Sequence, residues 1–444
     1  GPSGGSGARL ATTRLATADA SWTFAEIMQQ EPELIDVALA SARLAYESGF
    51  ADEANMLMAV REIDRLAEEA RRRRVVNLHM LDELPPGLRR QRDQSNADKL
   101  VAFIGDQGFR FDEADPDGHN PENLFLHSVL RRKRGYCVSL TKLAVALAQR
   151  LRVPVHAVRV PGHMFLRYGE YSDPRGDGRN YEMTNHGAQH PSSYYIRRFN
   201  VSAMAVANDV YLRNLDARQL FSDVCSNLGS LMYLRNRFAE AVQWYQQGIA
   251  CDPRNAQVFY NLGTTYALLG QPVDAVEAFR SAISLDPADY LSFCGRGRLY
   301  GEMGDPAVGF DDMGKAISLR PHDPHAFRLR GVLRARLGEY ALAEQDLVRA
   351  RELDDTDLGT VRNLALVYLR LGKVAEAVAL RERLLAEPTA DGETATLLDA
   401  LHRAAREVAR HATAGGAASS DQSPQSPQSP PAPTVPPGSP VPGS

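Results

Sequence analysis

A 34-residue period governs the second half of the chain and limits its possible folds more than any other feature. Pro253, Pro287 and Pro321 share one register, and Gly270, Gly304, Gly338 and Gly372 share another. Gly229, Gly263, Gly297 and Gly331 form a third column, continued by Ala365, and Ala241, Ala275, Gly309, Ala343 and Ala377 a fourth. Phe259, Phe293 and Phe327 hold one large apolar slot, filled at either end by Cys225 and Val361. Small residues at fixed slots let two helices cross closely, and the large residues fill the seam. Each proline ends a second helix and sets the turn into the next unit. No such unit buries its apolar face alone, so neighbours must stack. The period places five helical hairpins at 222–255, 256–289, 290–323, 324–357 and 358–391, with a capping helix over 392–411.

This layout resembles the tetratricopeptide repeat. The resemblance implies an all-α solenoid whose concave face, built by the first helix of each hairpin, holds an extended or helical protein or peptide segment. Arg298, Arg328 and Arg362 fall on first helices, and the last two occupy equivalent slots. They are the candidate peptide-binding residues and imply a mild preference for acidic ligands. The lysine-bearing pattern that clamps a terminal carboxylate in some co-chaperones is absent.

The other half reads differently. A chain of 444 residues with 44% apolar content has room for about three units. Its net charge of -4 gives no reason to expect nucleic acid or an anionic membrane as partner. No apolar run approaches the roughly 18 residues of a membrane span. Four scattered cysteines without a CxxC pair argue against a disulfide framework and for a reducing, cytoplasmic setting. Residues 1–20 open with GPSGGSG, which looks like a cleavage scar plus linker, and are expected to be disordered. Residues 412–444, rich in proline and serine, cannot bury enough apolar surface to fold.

Residues 21–215 carry the signs of an α+β domain with a helical preamble. Two helical patterns run from Trp22 to Arg74, the second ending in the basic run Arg71 to Arg74. Residues 85–95 read as a loop, 97–104 as a short helix and 112–123 as a turn-rich surface loop. Asp112, Asp115 and Asp117 cluster in that loop without the spacing of a calcium site. A helix from Cys137 to Arg150 precedes the strand-like runs PVHAVRV, HMFLRYGEY and NYEMT, with YSDPRGDGRN as a hairpin loop.

Cys137 stands apart from the other three cysteines, which lie within the repeats as ordinary buried thiols. It follows Arg131, Arg132, Lys133 and Arg134 and opens an apolar helix. A thiol at a helix N-terminus near cations is activated as a nucleophile. The segment RGYCVSLTKLAVALAQRLRVPVHAVRVPGHMFLRY resembles the core of the transglutaminase-like superfamily, papain-like folds that carry a cysteine on a helix and a histidine and an acid on neighbouring strands. The family's Gly-x-Cys falls on Gly135-Tyr136-Cys137, its Leu-x-x-Pro turn on Leu151 to Pro154, its histidine on His163 and its strand-initial acid on Glu182. The resemblance covers about residues 22–215 and looks like a bacterial branch that pairs such a domain with tetratricopeptide repeats. It implies a Cys137–His163–Glu182 triad, with the Cys137 N–H as oxyanion donor. The third member of the family is most often Asp, so Glu182 must sit on a strand set slightly back. Asn185 and Asp173 are the alternatives. His119, His127, His156, His186 and His190 show no compact metal-ligand spacing, and no phosphate-cradling glycine loop or dinucleotide motif is present. Neither metal nor cofactor is expected.

The expected function is cysteine-dependent acyl chemistry on a protein or peptide, ending in amide hydrolysis, with the repeats as recruiter. Two alternatives remain: a non-catalytic adaptor in which the solenoid does the work, and transfer of the acyl group to an amine. Residues 222–411 are expected to be removable without unfolding the N-terminal domain.

Overall fold

The computed structural model describes residues 22–77, 84–115, 120–169, 179–385, 395–406 and 410. The expectations for residues 1–20 and 412–444, and those placed on Asp117, His119 and Asp173, lie outside the described residues. The chain forms an α+β domain and an all-α repeat array, and divides into two compact units after Leu329.

In the first unit, helices Val37–Glu47, Glu53–Arg72 and Pro86–Asp106 pack around helix Cys137–Leu151. Asp36 and Asp52 cap the first two, accepting from the N–H groups of Ala38 and Leu39 and of Asn55. Met56, Ala59, Ile63, Leu66 and Ala70 form the buried stripe of the second. Residues 85–95, expected as a loop, belong instead to the 21-residue helix Pro86–Asp106. The misleading signal is Pro85-Pro86-Gly87: a proline in the first helical turn loses only an N–H that has no helical partner.

Five antiparallel strands form one sheet in the order β6-β5-β4-β3-β7. They are β3 (Val155–Val160), β4 (His163–Tyr168), β5 (Arg179–Glu182), β6 (Ala188–His190) and β7 (Asn214–Leu215). A separate parallel pair joins β1 (Arg110–Phe111) to β2 (Arg134–Gly135). One sheet face, with Val155, Ala157, Leu166 and Tyr168, packs on Leu140, Leu143, Leu147 and Leu151 of the Cys137–Leu151 helix. The opposite face buries Val158, Val160 and Phe165 against Tyr195, Val210 and Tyr211. The Pro161-Gly162 turn links β3 to β4, and Gly162 has φ +66° there, a conformation only glycine adopts cheaply.

Three repeat hairpins complete the first unit: Ala217–Leu234 with Phe238–Cys251, Ala256–Leu268 with Pro272–Leu285, and Tyr290–Met303 with Pro306–Leu319. The first does not stand off from the α+β domain. Leu220, Phe221, Val224, Cys225, Leu228 and Cys251 belong to the same apolar core as the Cys137–Leu151 helix. Buried Arg159 on β3 bonds Asp223 (2.6 Å) and Asp252 (2.8 Å), and Arg213 also reaches Asp252 (2.7 Å). The sequence pattern changes between 215 and 222, but the packing does not break there. This shared core and its ion pairs argue against a freely removable 222–411 segment.

In the second unit, Tyr340–Leu353, Leu358–Arg370, Val374–Ala379 and Arg381–Leu385 continue the array. Residues 395–406 are helical, and their Leu397 and Leu401 are buried in that unit's core. The glycine columns have two distinct causes. Gly270, Gly304, Gly338 and Gly372 take φ of +70°, +92°, +81° and +72° between paired helices. Gly229 and Gly263 instead make room for the rings of Tyr245 and Phe279. An unforeseen column is ionic: Arg296–Asp312 and Arg330–Asp346, each 2.7 Å apart, repeat one period apart with the aspartates buried. No helix among the described residues is long and apolar enough to cross a membrane.

Candidate active site

Cys137 is the first residue of its helix and is half-buried. Ser139 bonds back to the backbone N–H of Tyr136 at that end, and the first N–H groups of the helix have no partner within it. The approach is held tightly. Ser139 Oγ accepts the Tyr136 N–H at 2.8 Å, and Asn120 N–H donates to the Tyr136 hydroxyl at 3.0 Å. A methyl group at Gly135 would lie 2.6 Å from Ser139 Oγ and 3.2 Å from Val129, which explains the glycine two residues before the thiol.

His163 opens β4, as expected, and its Nε2 bonds Glu182 Oε2 at 2.7 Å. Glu182 ends β5 and does not begin it. The two strands are antiparallel with Leu166 opposite Tyr181, so one further step sets Glu182 opposite Phe165 and diagonal to His163. A diagonal pair on one sheet face is about 7–8 Å apart at the backbone. Glu, one methylene longer than Asp, spans that gap. Thr184 Oγ1 donates to the other carboxylate oxygen at 2.6 Å. Asn185 lies in the turn after β5, its N–H donating to the Glu182 carbonyl. Phe199 stacks on the imidazole, centroids 4.9 Å apart and planes within 5°.

Burial by itself would strip the proton from His163. Hydrogen bonding to Cys137 and Glu182, together with their charges, overcomes it and raises the pKa to about 10. Burial likewise works against an ionised Glu182, yet the His163 contact and the Thr184 bonds hold its carboxyl below the ordinary value. With Nε2 on Glu182, Nδ1 is the ring nitrogen left for Cys137.

The basic run 131–134 does not supply the expected cations to the thiol. Arg132 bonds Asp112 (3.0 Å) and Asn123 (3.0 Å), Arg131 faces Glu122, and Lys133 lies over the Phe109 ring. None of the four lines the cleft at Cys137. Asp112 and Asp115 serve that same scaffold, through Asn123, Arg132 and Tyr136.

A cleft of about 550 Å³ opens over Cys137 and His163. One side is Asn120, Leu124, Tyr136 and Met164; the other is the first helices of the first two repeats, through Asn227, Leu231, Leu234, Gln257 and Asn261. Arg298 and Arg328 do not line it. Arg298 pairs with Glu302 along its own helix, and Arg328 bonds His325. Arg362 lies half-buried on helix Leu358–Arg370 of the second unit.

Residues 58–222 match the family model of the transglutaminase-like superfamily, and repeat models match 229–270, 256–289, 294–357 and 360–395. This is a transglutaminase-like domain followed by tetratricopeptide repeats. F-box only protein 21 of Mus musculus is 38% identical over 52 residues, 12% of this chain and 8% of that protein. Among solved structures, a thermophilic repeat protein of Thermus thermophilus is 21% identical, with 40% of this chain and 98% of that one covered at a TM-score of 0.37. A tetratricopeptide repeat protein of Parabacteroides merdae is 18% identical, over 48% of this chain and 78% of that one, at a TM-score of 0.38. Repeats of this class generally mediate protein or peptide binding.

Sequence reasoning missed Phe199, Thr184 and the amide-bearing wall of the cleft. Thr184 lies two residues from Glu182 in sequence, but its bond to the carboxylate follows from the turn after β5, a segment that the sequence pattern sets at the start of a strand. Phe199 lies 36 residues beyond His163 with no pattern linking them, and only the fold brings them together.

Proposed function

We propose that the transglutaminase-like domain performs cysteine-dependent acyl chemistry on an amide of a protein or peptide, ending in hydrolysis. The observation that carries this reading is the 2.7 Å His163–Glu182 bond beside a thiol on the first residue of a helix. Cys137 attacks the amide carbonyl carbon as His163 holds the thiol proton, and a carbon–sulfur bond forms. The carbonyl electrons move onto oxygen, which takes the Cys137 N–H. Collapse breaks the carbon–nitrogen bond, and His163 gives its proton to the leaving amine. Water then attacks the thioester, His163 takes its proton, and the acid departs as the thiol reforms. Glu182 keeps the imidazole oriented and balances its charge throughout.

The repeats recruit the substrate in this reading, with Arg298, Arg328 and Arg362 as contacts farther along the array. Four free thiols fit a reducing, cytoplasmic setting. The test is alkylation of the intact chain by iodoacetamide across pH 5 to 9 with peptide mapping, beside His163→Ala. Selective labelling of Cys137 near pH 6 that fades in the variant supports the triad. Labelling only near pH 8.5, unchanged in the variant, leaves a protein-binding adaptor. An acceptor amine in place of water is separated by incorporation of a labelled primary amine.

A further inference from the structure

The cleft wall opposite the domain is built by the repeats, and its chemistry is specific. Asn227 and Asn261 sit one 34-residue period apart on the first helices of repeats one and two. The next slots in that register are Gly295 and Leu329, and an asparagine returns at Asn363, whose Nδ2 is bonded to the Gly359 carbonyl, so two successive repeats carry the amide only beside Cys137. Asn261 is held in place, its Nδ2 donating to Ser226 (3.2 Å) and its Oδ1 accepting from Gln257 (3.1 Å). Asn227 is half-buried and has no hydrogen-bond partner among the described residues. A primary amide offers a donor and an acceptor together, the complement of a peptide group.

The lining carries no unbalanced charge. Apart from His163, its one cation is Arg159, which is bonded to Asp223 and Asp252. Beyond Asn227, Leu234 is 55% exposed at the rim, an apolar surface beside the amides. Packed helices lie about 8–10 Å apart, which is roughly three residues of extended chain. A peptide bonded to both asparagines therefore spans the cleft with its main chain alongside the thiol.

Building on the acyl-transfer reading, we propose that repeats one and two are the specificity wall of the active site, binding an extended, uncharged polypeptide segment. Asn227 and Asn261 bind its main chain, and Leu234 takes an apolar side chain. The acidic ligand implied by Arg298, Arg328 and Arg362 is not what this cleft fits. The repeats thus act at the scissile bond itself as well as at a distance.

The test uses the full chain at pH 8.5 and two kinds of thiol reagent. One is iodoacetamide, too small to need the wall. The others are acetylated tetrapeptide chloromethyl ketones, one of leucine and alanine only, one containing Lys and one containing Glu. The quantity read is the rate of Cys137 modification by each peptide reagent divided by that by iodoacetamide. In the wild type the neutral reagent is expected to give the highest ratio. Asn227→Ala should lower that ratio roughly two- to tenfold, the loss of one or two hydrogen bonds. Asn227→Asp should shift preference from the Glu reagent towards the Lys reagent by about as much, a change that mere loosening of the fold does not produce. Ratios in both variants equal to wild type would overturn the proposal. The ratio remains readable on an unactivated thiol, so loss of His163 dependence, which sinks acyl transfer, is a separate result.

Discussion

Replacing Glu182 by Gln removes one charge and little volume, and the consequence can be worked from the geometry. Gln can keep its carbonyl on Thr184 Oγ1, but its amide then points a donor at His163 Nε2 where the carboxylate accepted at 2.7 Å. That arrangement favours the ring with Nε2 unprotonated, the reverse of what the triad needs. His163 is raised from 6.5 to about 10, against the burial that opposes it. At about 1.4 kcal/mol per tenfold change in proton affinity, this is roughly 5 kcal/mol shared between Cys137 and Glu182. A hydrogen bond to a charged partner contributes about 1.5–3 kcal/mol of that, so Cys137 alkylation at pH 6 should fall roughly 10- to 150-fold in Glu182→Gln. Ring NMR should show His163 releasing its proton at lower pH. The linkage has a definite sign. From 6.5 to about 10 the folded chain holds a proton that the unfolded chain gives up, so this stabilisation is complete below 6.5 and is lost as pH rises through 10. Glu182 adds stability present above its ordinary value of 4.5 and lost as pH falls through its lowered one. A Glu182→Gln chain with wild-type alkylation and an unmoved His163 titration would refute the argument.

Phe199→Ala removes a stacked ring from the imidazole; an aromatic pair of this kind contributes about 0.5–1.5 kcal/mol, so alkylation at pH 6 should drop roughly two- to tenfold while the melting profile stays cooperative. Lys142 is fully buried on the Cys137–Leu151 helix with its ammonium on the Leu124 carbonyl (3.0 Å), and burial lowers its pKa to about 7. The unfolded chain binds the extra proton between 7 and 10.5, so Lys142→Met should be more stable at pH 7 by a few kcal/mol at most, roughly, and the gain should shrink as pH rises; an equal gain at both ends, read by denaturant titration, would contradict this. A fragment ending at Asp216 loses Leu220, Phe221, Val224 and Leu228 from the shared core and should melt without cooperativity, whereas 22–289 should unfold in one transition.

The repeat array was legible because its signal is periodic: glycine columns and apolar slots recur at a fixed spacing, whatever the rest of the chain does. Cys137 and His163 were legible for a different reason, since each opens an element and each is flagged by glycine: Gly135 by contact with Ser139 and Val129, Gly162 by its turn. Glu182 was found as a residue but placed at the wrong end of its strand. Only the antiparallel register shows that the end of β5 adjoins the start of β4, and that a diagonal reach calls for the longer acid. The basic run before Cys137 misled because charge near a residue in sequence says nothing of direction. Arg131 and Arg132 point back to Glu122 and Asp112. The helix at Pro86–Asp106 was hidden by prolines whose helical role is confined to the first turn.

The junction between domain and repeats was illegible for a deeper reason, and it bears most on function. Arg159 lies on β3, whose last residue, Val160, pairs with His163 across the Pro161-Gly162 turn. The same arginine, 3% exposed, is bonded to Asp223, one helical turn before Asn227. The hairpin that presents the imidazole is therefore fastened to the helix that presents the amide wall. Removing one partner of a buried ion pair typically destabilises by about 3–5 kcal/mol, because the other charge is left without compensation. Such a fastening keeps the distance between His163 and Asn227 fixed, which a wall that positions a scissile bond requires and a remote recruiting surface does not. A tethered recruiter would need only a linker. Two aspartates and two arginines joined across this seam are what a shared active-site body demands.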